Sequence, residues 1–537
     1  MVAVALRGYP TLASVVVAPC AGTGDQTGYR TRLKWAVDGA RIGLFGQGHE
    51  VVDTPECAVA PQRALEIAAA LRTRPPESGA RLGALDIRVT AEGTASAVLV
   101  VEARDARAAE VHANGLLSRL PRGLGVAWAW RRPDAVTLLG GRPERLAGET
   151  TLRDRVGLVA ARFPAGAFSQ AHRGQTAVLH RWLRAAVAGF PGARVADLFA
   201  GTGGLGLAVA DLCSEVLLVE PFAPAADAAR SEAPRNTHVF VGTAERALSE
   251  LDHQGAIFIL DPPRTGLTGA ALSALIRARP KAVVMVSCEP RTFARDLAVL
   301  STYGWATSEV RPLDLMPRTS QVEAFALAVP GPPAGLTVLA TLADGVVVQK
   351  PPFLPTVPHP EWPSSALNLV QRDHPDYQPA HRLDAGTSGV VLFSRRGSGA
   401  LEGAEKTYTA LVRGIVRRHG TLRQPLDERG ERLDAETRFE RVAVVGGHSL
   451  VRVRLVTGRT HQIRRHFAGI GNPVLGDDRY GDPRSDAFLF ARHGLHRPFL
   501  HAEELVLATG ERVTCPLAPD LAMVLESLRS AGHEESD

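Results

Sequence analysis

Between residues 175 and 286 short apolar runs alternate with stretches whose apolar residues recur at helical spacing. The runs lie at 194–199, 216–219, 239–241, 256–260 and 282–286, and the first helical pattern has apolar residues at 178, 179, 182, 183, 186 and 187. Strands apolar on both faces need cover on both, so this pattern predicts a doubly wound parallel sheet flanked by helices. A different texture precedes it: residues 26 to 150 mix short strands, at 97–102 and 135–139 among others, with helices. After residue 335, many short strands separated by Gly, Pro and Asp turns predict a mixed, largely antiparallel α+β domain.

The 537 residues exceed a single core, so three or four domains of ordinary size are expected. Pro330, Gly331, Pro332, Pro333, Ala334 and Gly335 break both helix and strand and mark a linker. The expected units are an N-terminal α+β segment (1–150), a doubly wound domain (151–330), a linker (331–336) and a second α+β domain (337–530). A composition of 45% hydrophobic and 22% charged residues suits folded protein. No apolar run reaches the roughly 18 residues of a membrane span, and no signal-peptide pattern is evident. The five cysteines, at 20, 57, 213, 288 and 515, form no Cys-x-x-Cys pair, which argues against a disulfide framework or a zinc ribbon and fits a reducing cytoplasm. A net charge of +5 is compatible with a polyanionic partner without requiring one. Only Lys34, Lys281, Lys350 and Lys406 of the 61 basic residues are lysines, so each carries more information than usual.

The first chemical feature is the stretch 195–206, a strand entering a turn that contains Gly201, Gly203, Gly204 and Gly206 before a helix. Glycines admit a ligand close to the backbone, and the helix start offers free N–H donors. Glu220 ends the next strand, where a carboxylate can accept from ribose hydroxyls. This pattern alone suits NAD, FAD or AdoMet equally. Two polar motifs then end later strands: Asp261, Pro262, Pro263 and Arg264, and Ser287, Cys288, Glu289 and Pro290. Ligands of open parallel sheets sit outside the carboxyl ends of strands, so both should face one crevice.

With Phe168, Ser169 and Gln170 upstream, the continuation to Thr292 and Asp296, and the run Pro317 to Glu323, residues 26–330 resemble the RNA 5-methyluridine methyltransferases, a class I AdoMet-dependent family. The resemblance implies a Rossmann-like domain with an RNA-binding α+β segment before it. It implies that Cys288 adds to C6 of uracil, making C5 nucleophilic, and that Glu323 is the base that removes the C5 proton. Asp261 and Arg264 would shape that site. Gln170, Phe199, Gly201, Gly203, Glu220, Thr243 and Asp261 would bind AdoMet. An NAD oxidoreductase, the rival reading, leaves Cys288 and the Asp-Pro-Pro-Arg loop without a task. The chain departs from the family at His172 and Gly204, where Asn is usual. Many relatives carry a four-cysteine iron–sulfur cluster; only Cys20 and Cys57 are available here, so no cluster is expected.

The second feature lies beyond the linker. Val346 to Lys350 reads as a strand ending at Pro351, followed by His381, Arg382, Leu383 and Asp384, then Thr387 to Gly389, Lys406 with Tyr408, Gly458 to Arg464, Asn472 to Asp477, and Leu500 to Ala502. Polar clusters between apolar strands are costly unless paired or functional, and Asp384 with its neighbours could be a plain salt bridge. The ordered set, spanning 338–520, resembles the RNA pseudouridine synthases typified by the dual-specificity tRNA and rRNA enzyme, most closely a tRNA-modifying branch. By that resemblance Asp384 is the nucleophile that detaches uracil, Arg464 pairs with it, and Tyr408 stacks on the base. Arg382 fills the gap left by the flipped uridine, and Lys350 contacts RNA. Ala385 stands where relatives have Arg. The whole chain is thus expected to be a monomeric, cytoplasmic, bifunctional uridine-modifying enzyme. Its expected partner is RNA, tRNA before rRNA; an RNA chaperone with decayed centres is the alternative of another class.

Overall fold

The computed structural model describes residues 1–533 apart from 47–49, 73–80, 103, 121, 133–138, 140, 252–254, 400–401 and 429. Most of the expected strand at 135–139 lies outside the described residues.

Five parallel strands, Arg194–Asp197, Glu215–Glu220, Thr237–Val241, Ile257–Leu260 and Ala282–Ser287, form the centre and one edge of an eight-stranded sheet. Glu323–Pro330 joins antiparallel beside Ala282–Ser287, and Trp305–Leu313 follows outside it. Successive side chains of these strands enter opposite cores. Ala196, Phe258 and Leu260 pack with Phe293 and Leu297, whereas Val195, Ile257 and Ile259 pack with Leu179 and Leu183. Two-sided cover is why these runs are apolar at nearly every position.

The beginning of the chain differs from the expected boundary. Helix Val2–Arg7 buries Val2 and Leu6 in the Phe293–Leu297 core, and strand Val16–Val17 extends the doubly wound sheet parallel to Trp305–Leu313. The first 21 residues therefore pack with the methyltransferase-like sheet rather than with the segment that follows them.

That segment is a seven-stranded sheet backed by helices Gln62–Arg72 and Ala106–Arg119, with Trp35, Leu85, Ile87 and Leu99 in its core. The expected linker runs without regular structure but is tied down: Gly331 N–H donates to Gly304 O, and Ala334 N–H to Ser301 O. Beyond it lies a ten-stranded mixed sheet, antiparallel except where Ser388–Arg395 meets Leu500–Val506. That parallel contact requires Gly389, whose φ is +119° and whose added Cβ would lie 2.1 Å from Ala502 O. No helix among the described residues is long and apolar enough to cross a membrane.

Candidate active sites

At the first site, Asp197 fixes the glycine-rich turn from below, its carboxylate accepting from Gly206 N–H at 2.9 Å and Phe199 N–H at 3.4 Å. Gly203 stands at φ +88° with Leu207 Cδ1 only 2.8 Å from where a Cβ would be. Gly201, at φ +55°, has open space on that side, and its N–H donates to Glu220 Oε2 at 2.9 Å. Glu220 accepts a second bond from Phe222 N–H at 2.7 Å, and burial raises its pKa. The turn opens on a pocket lined by Phe163, Phe168, Gln170, His180, Phe199 and Asp261.

Gln170 Nε2 donates to Asp261 Oδ2 at 2.9 Å across this pocket. Burial, then the neighbouring Asp197, pushes Asp261 up to about 7; burial likewise pushes Asp197 up to about 7. Three of the expected AdoMet residues, Gly203, Glu220 and Thr243, do not line this pocket. Gly203 packs beneath the turn and is not among the pocket-lining residues. Thr243 does not line the pocket either: it caps helix Ala244–Glu250, its hydroxyl accepting from Arg246 N–H at 3.4 Å.

Antiparallel pairing ends at Ser287 and Ala324, so Cys288 and Glu323 are the next residues on neighbouring strands, close enough for the Glu323 charge to act on the thiol. Glu323 is 3% exposed, and its Oε1 has no hydrogen-bond partner. An unpaired buried oxygen is expensive, and it leaves Glu323 Oε1 free to meet a ligand. Burial, then Asp261, holds its pKa well above the usual range against the opposing pull of Arg264. Burial and the Glu323 charge push Cys288 up to about 12, with Arg264 opposing by charge and hydrogen bond. The loop carrying Asp261 and Arg264 is pinned from helix Pro290–Thr302. Leu267 N–H donates to Asp296 Oδ2 at 2.9 Å, Arg295 Nη2 donates to Leu267 O at 2.7 Å, and Thr292 Oγ1 donates to Arg264 O at 3.0 Å.

His172 explains one departure from the family pattern. Its Nδ1 accepts from Gln175 N–H at 3.4 Å, capping helix Arg173–Ala188, and its ring stacks on Tyr29 at 4.9 Å. It takes the N-cap position that Asn favours.

At the second site, Asp384 Oδ2 accepts from Arg464 Nη1 at 3.1 Å, and His461 Nε2 lies 3.5 Å from Oδ1. Arg464 is itself held by two bonds of 2.6 Å to Asp477, with Asp478 at 3.4 Å. Burial opposes its charge, but Asp477 and Asp384 outweigh that and raise its pKa. Asp477 is fully buried and is the principal partner that sequence reasoning left without a role; its place in the Asn472–Asp477 motif was the available signal. His461 was missed too, and its Nδ1 is 3.1 Å from Tyr480 Oη. Tyr408 is 5% exposed, and burial followed by the Asp384 charge raises its pKa. Arg382 is exposed with no ion-pair partner among the described residues.

Lys350 corrects an expectation. It is fully buried and donates to Pro351 O at 2.9 Å, Leu354 O at 2.7 Å and Ala385 O at 3.2 Å. All three donors of its ammonium are used, so it props the Asp384 loop from behind and offers nothing to RNA.

Asp384, Tyr408, Lys406, Arg382, His461 and Arg464 line a cleft of 1210 Å³. Among the described residues no group of three or more His, Cys, Asp or Glu is placed to hold a metal.

Comparison with known proteins matches residues 344–469 to the RNA pseudouridylate synthase family. An uncharacterized RNA methyltransferase of Thermosynechococcus vestitus is 30% identical over 330 residues, covering 58% of this chain and 73% of that protein. The ribosomal large subunit pseudouridine synthase C of Escherichia coli is 39% identical over 178 residues, covering 28% of this chain and 56% of that protein. Among solved structures, the Pyrococcus abyssi tRNA (uracil-54, C5)-methyltransferase with S-adenosyl-L-homocysteine matches with a TM-score of 0.47 and 23% identity, over 59% of this chain and 79% of that one. The chain belongs to the RNA methyltransferases, and its residues 344–469 are similar to the RNA pseudouridylate synthases.

Proposed function

We propose that the chain modifies uridine in RNA at two centres, by C5 methylation at the first and by isomerisation to pseudouridine at the second. For the first, the carrying observation is Cys288 beside a buried Glu323 whose Oε1 is unpartnered. The fit of AdoMet rests on Asp261, a half-buried carboxyl that lines the same pocket as the Gly201 turn, Gln170 and Phe199. AdoMet bound there supplies an electrophilic methyl group. Cys288, its proton passed to solvent, adds as thiolate to C6; C5 of the resulting enolate would take the methyl from the cofactor's sulfonium, leaving the neutral thioether. Glu323 in its ionised form accepts the C5 proton, and the C6–S bond breaks to return the thiolate. The raised pKa of Glu323 suits a base that must hold that proton.

For the second, Asp384 detaches uracil from ribose, the base turns, and C5 replaces N1 at the sugar. Arg464 orients the carboxylate and Tyr408 packs against the base. Arg382, exposed and unpaired, occupies the place of the flipped nucleotide. The N-terminal segment before residue 150 serves as a further RNA-binding surface.

Fusion raises the effective concentration of each centre only for an RNA that can serve both, which favours one shared substrate, tRNA in the first instance. The similarity to the E. coli ribosomal enzyme favours ribosomal RNA as the second reading for the pseudouridine centre. The test incubates unmodified tRNA and ribosomal RNA transcripts with enzyme and AdoMet, then maps modified uridines by mass. Both modifications in tRNA are expected; modification of ribosomal RNA alone would transfer the assignment there, and neither modification in either RNA would refute it.

A further inference from the structure

The cleft around Asp384 is not closed by the synthase domain alone. Its far wall is helix Gly269–Ala278 of the methyltransferase body, through Thr268, Gly269, Ala270, Ser273, Ala274 and Arg277. The wall is fastened in place. Ser273 Oγ donates to Glu361 O at 2.7 Å and Arg277 Nη1 to the same oxygen at 3.0 Å. Tyr303 Oη donates to Phe353 O at 2.8 Å, and its ring stacks on Trp362 at 5.8 Å. Phe353 is buried in the methyltransferase core, lying against Gly269, where a Cβ would approach its ring to 3.0 Å. A contact built from one buried and two half-buried aromatics and from bonds to carbonyl oxygen holds the two bodies in register rather than tethering them loosely.

Six Arg or Lys side chains line the cleft against four carboxylates, Glu245, Glu361, Asp384 and Asp478. Arg464 and Arg497 are already spent on Asp477 and Asp520. The cations left for a ligand are Arg382, Lys406 and Arg459 on the synthase side and the exposed Arg277 on the methyltransferase side. A cleft with cations on facing walls and a nucleophile between them fits a polyanionic strand lying across it.

From this we infer that helix Gly269–Ala278 is part of the RNA-binding surface of the pseudouridine centre: Arg277 contacts a backbone phosphate of the strand flanking the target uridine, and Ala270 and Ala274 leave room for that strand to pass. The inference rests on the pseudouridine reading above. It adds that the methyltransferase body, beyond its own chemistry, helps to select the substrate of the other centre. The same helix follows directly on the loop that carries Asp261 and Arg264, so one continuous segment borders both sites.

The experiment measures pseudouridine formation in the full chain, on the tRNA or ribosomal RNA transcript that wild-type enzyme modifies. Arg277→Gln should raise KM about fivefold to tenfold with kcat kept, and should lower the slope of log KM against log salt by about one. Arg277→Lys should restore both. Ala270→Glu breaks no contact and places an acid in the first turn of a helix, where it is tolerated; it should also raise KM, by repelling phosphate. Melting temperature and AdoMet affinity should stay at wild-type values in each variant. Unchanged KM in both Arg277→Gln and Ala270→Glu would overturn the inference while leaving the pseudouridine activity standing. So would a raised KM confined to Arg277→Gln with an unaltered salt slope, because displacement of Glu361 would explain it. Absence of pseudouridine formation by wild-type enzyme would instead refute the underlying reading, and this inference with it.

Discussion

Cys288 is a thiol, not a thiolate, in the free protein at neutral pH, because burial and Glu323 push it up to about 12. Iodoacetamide attacks the thiolate, so its rate at Cys288 should keep rising from pH 7 to beyond pH 9; a plateau below pH 8 would contradict the environment described here. Asp477 and Lys350 act at one remove from chemistry. Asp477→Asn loosens the grip on Arg464 and so the aim of Asp384; pseudouridine formation should fall about 10²-fold, and the melting temperature should fall as well because a buried ion pair is broken. Lys350→Ala leaves the carbonyls of Pro351, Leu354 and Ala385 without their donor and should cost roughly 3 kcal/mol or more, read as a lower unfolding temperature. The sequence pointed to Lys350 through its motif and its rarity. Its role as a buried prop was not legible, because one sequence cannot distinguish an ammonium that faces solvent from one that faces carbonyls. Asp384 with Arg464, and Cys288 with Glu323, were singled out by resemblance to the two families; local pattern alone marks only polar clusters between apolar strands, which a plain salt bridge would also explain.

The central parallel strands could be read because they are buried on both faces, whereas Val16–Val17, two residues long, carries no periodicity to read. Helix Arg173–Ala188 begins two residues before the reading from Gln175, since His172 caps it with a ring nitrogen, an uncommon cap that composition does not announce. The carboxyl ends of strands Arg194–Asp197 and Ile257–Leu260 gather Asp197 and Asp261, both raised to about 7 by burial. Between about pH 4, where an unfolded carboxyl titrates, and about pH 7, the folded chain keeps protons that the unfolded chain has released. Stability must therefore fall as pH rises through that window and level off above it. Thermal unfolding of the chain without AdoMet from pH 5 to pH 8 should show the fall, and the Asp197→Asn, Asp261→Asn double variant should make it shallower, the rest coming from other carboxyls raised by burial, such as Glu220 and Glu323. An equal slope in the double variant would remove these two groups as its source.

At the scale of the molecule, two sheets with separate cores are locked together through Tyr303, Phe353 and Trp362, and helix Gly269–Ala278 faces the second cleft. The two-part organisation was visible at the Pro-Gly break of 330–335. The locking was not, because it depends on which surface residues meet across a distance in sequence that no local pattern encodes. The N-terminal helix and strand likewise return to a sheet whose other strands lie hundreds of residues later. Two centres in one chain should nonetheless fail separately, since Cys288 and Asp384 belong to different sites. The most direct measurement takes one RNA, AdoMet and three full-length proteins, and maps both modifications by mass. Wild-type enzyme should form both, Cys288→Ala should lose methylation by about 10⁴-fold or more and keep pseudouridine, and Asp384→Asn should do the reverse. Methylation surviving Cys288→Ala, or pseudouridine surviving Asp384→Asn, at near wild-type rates would contradict the account.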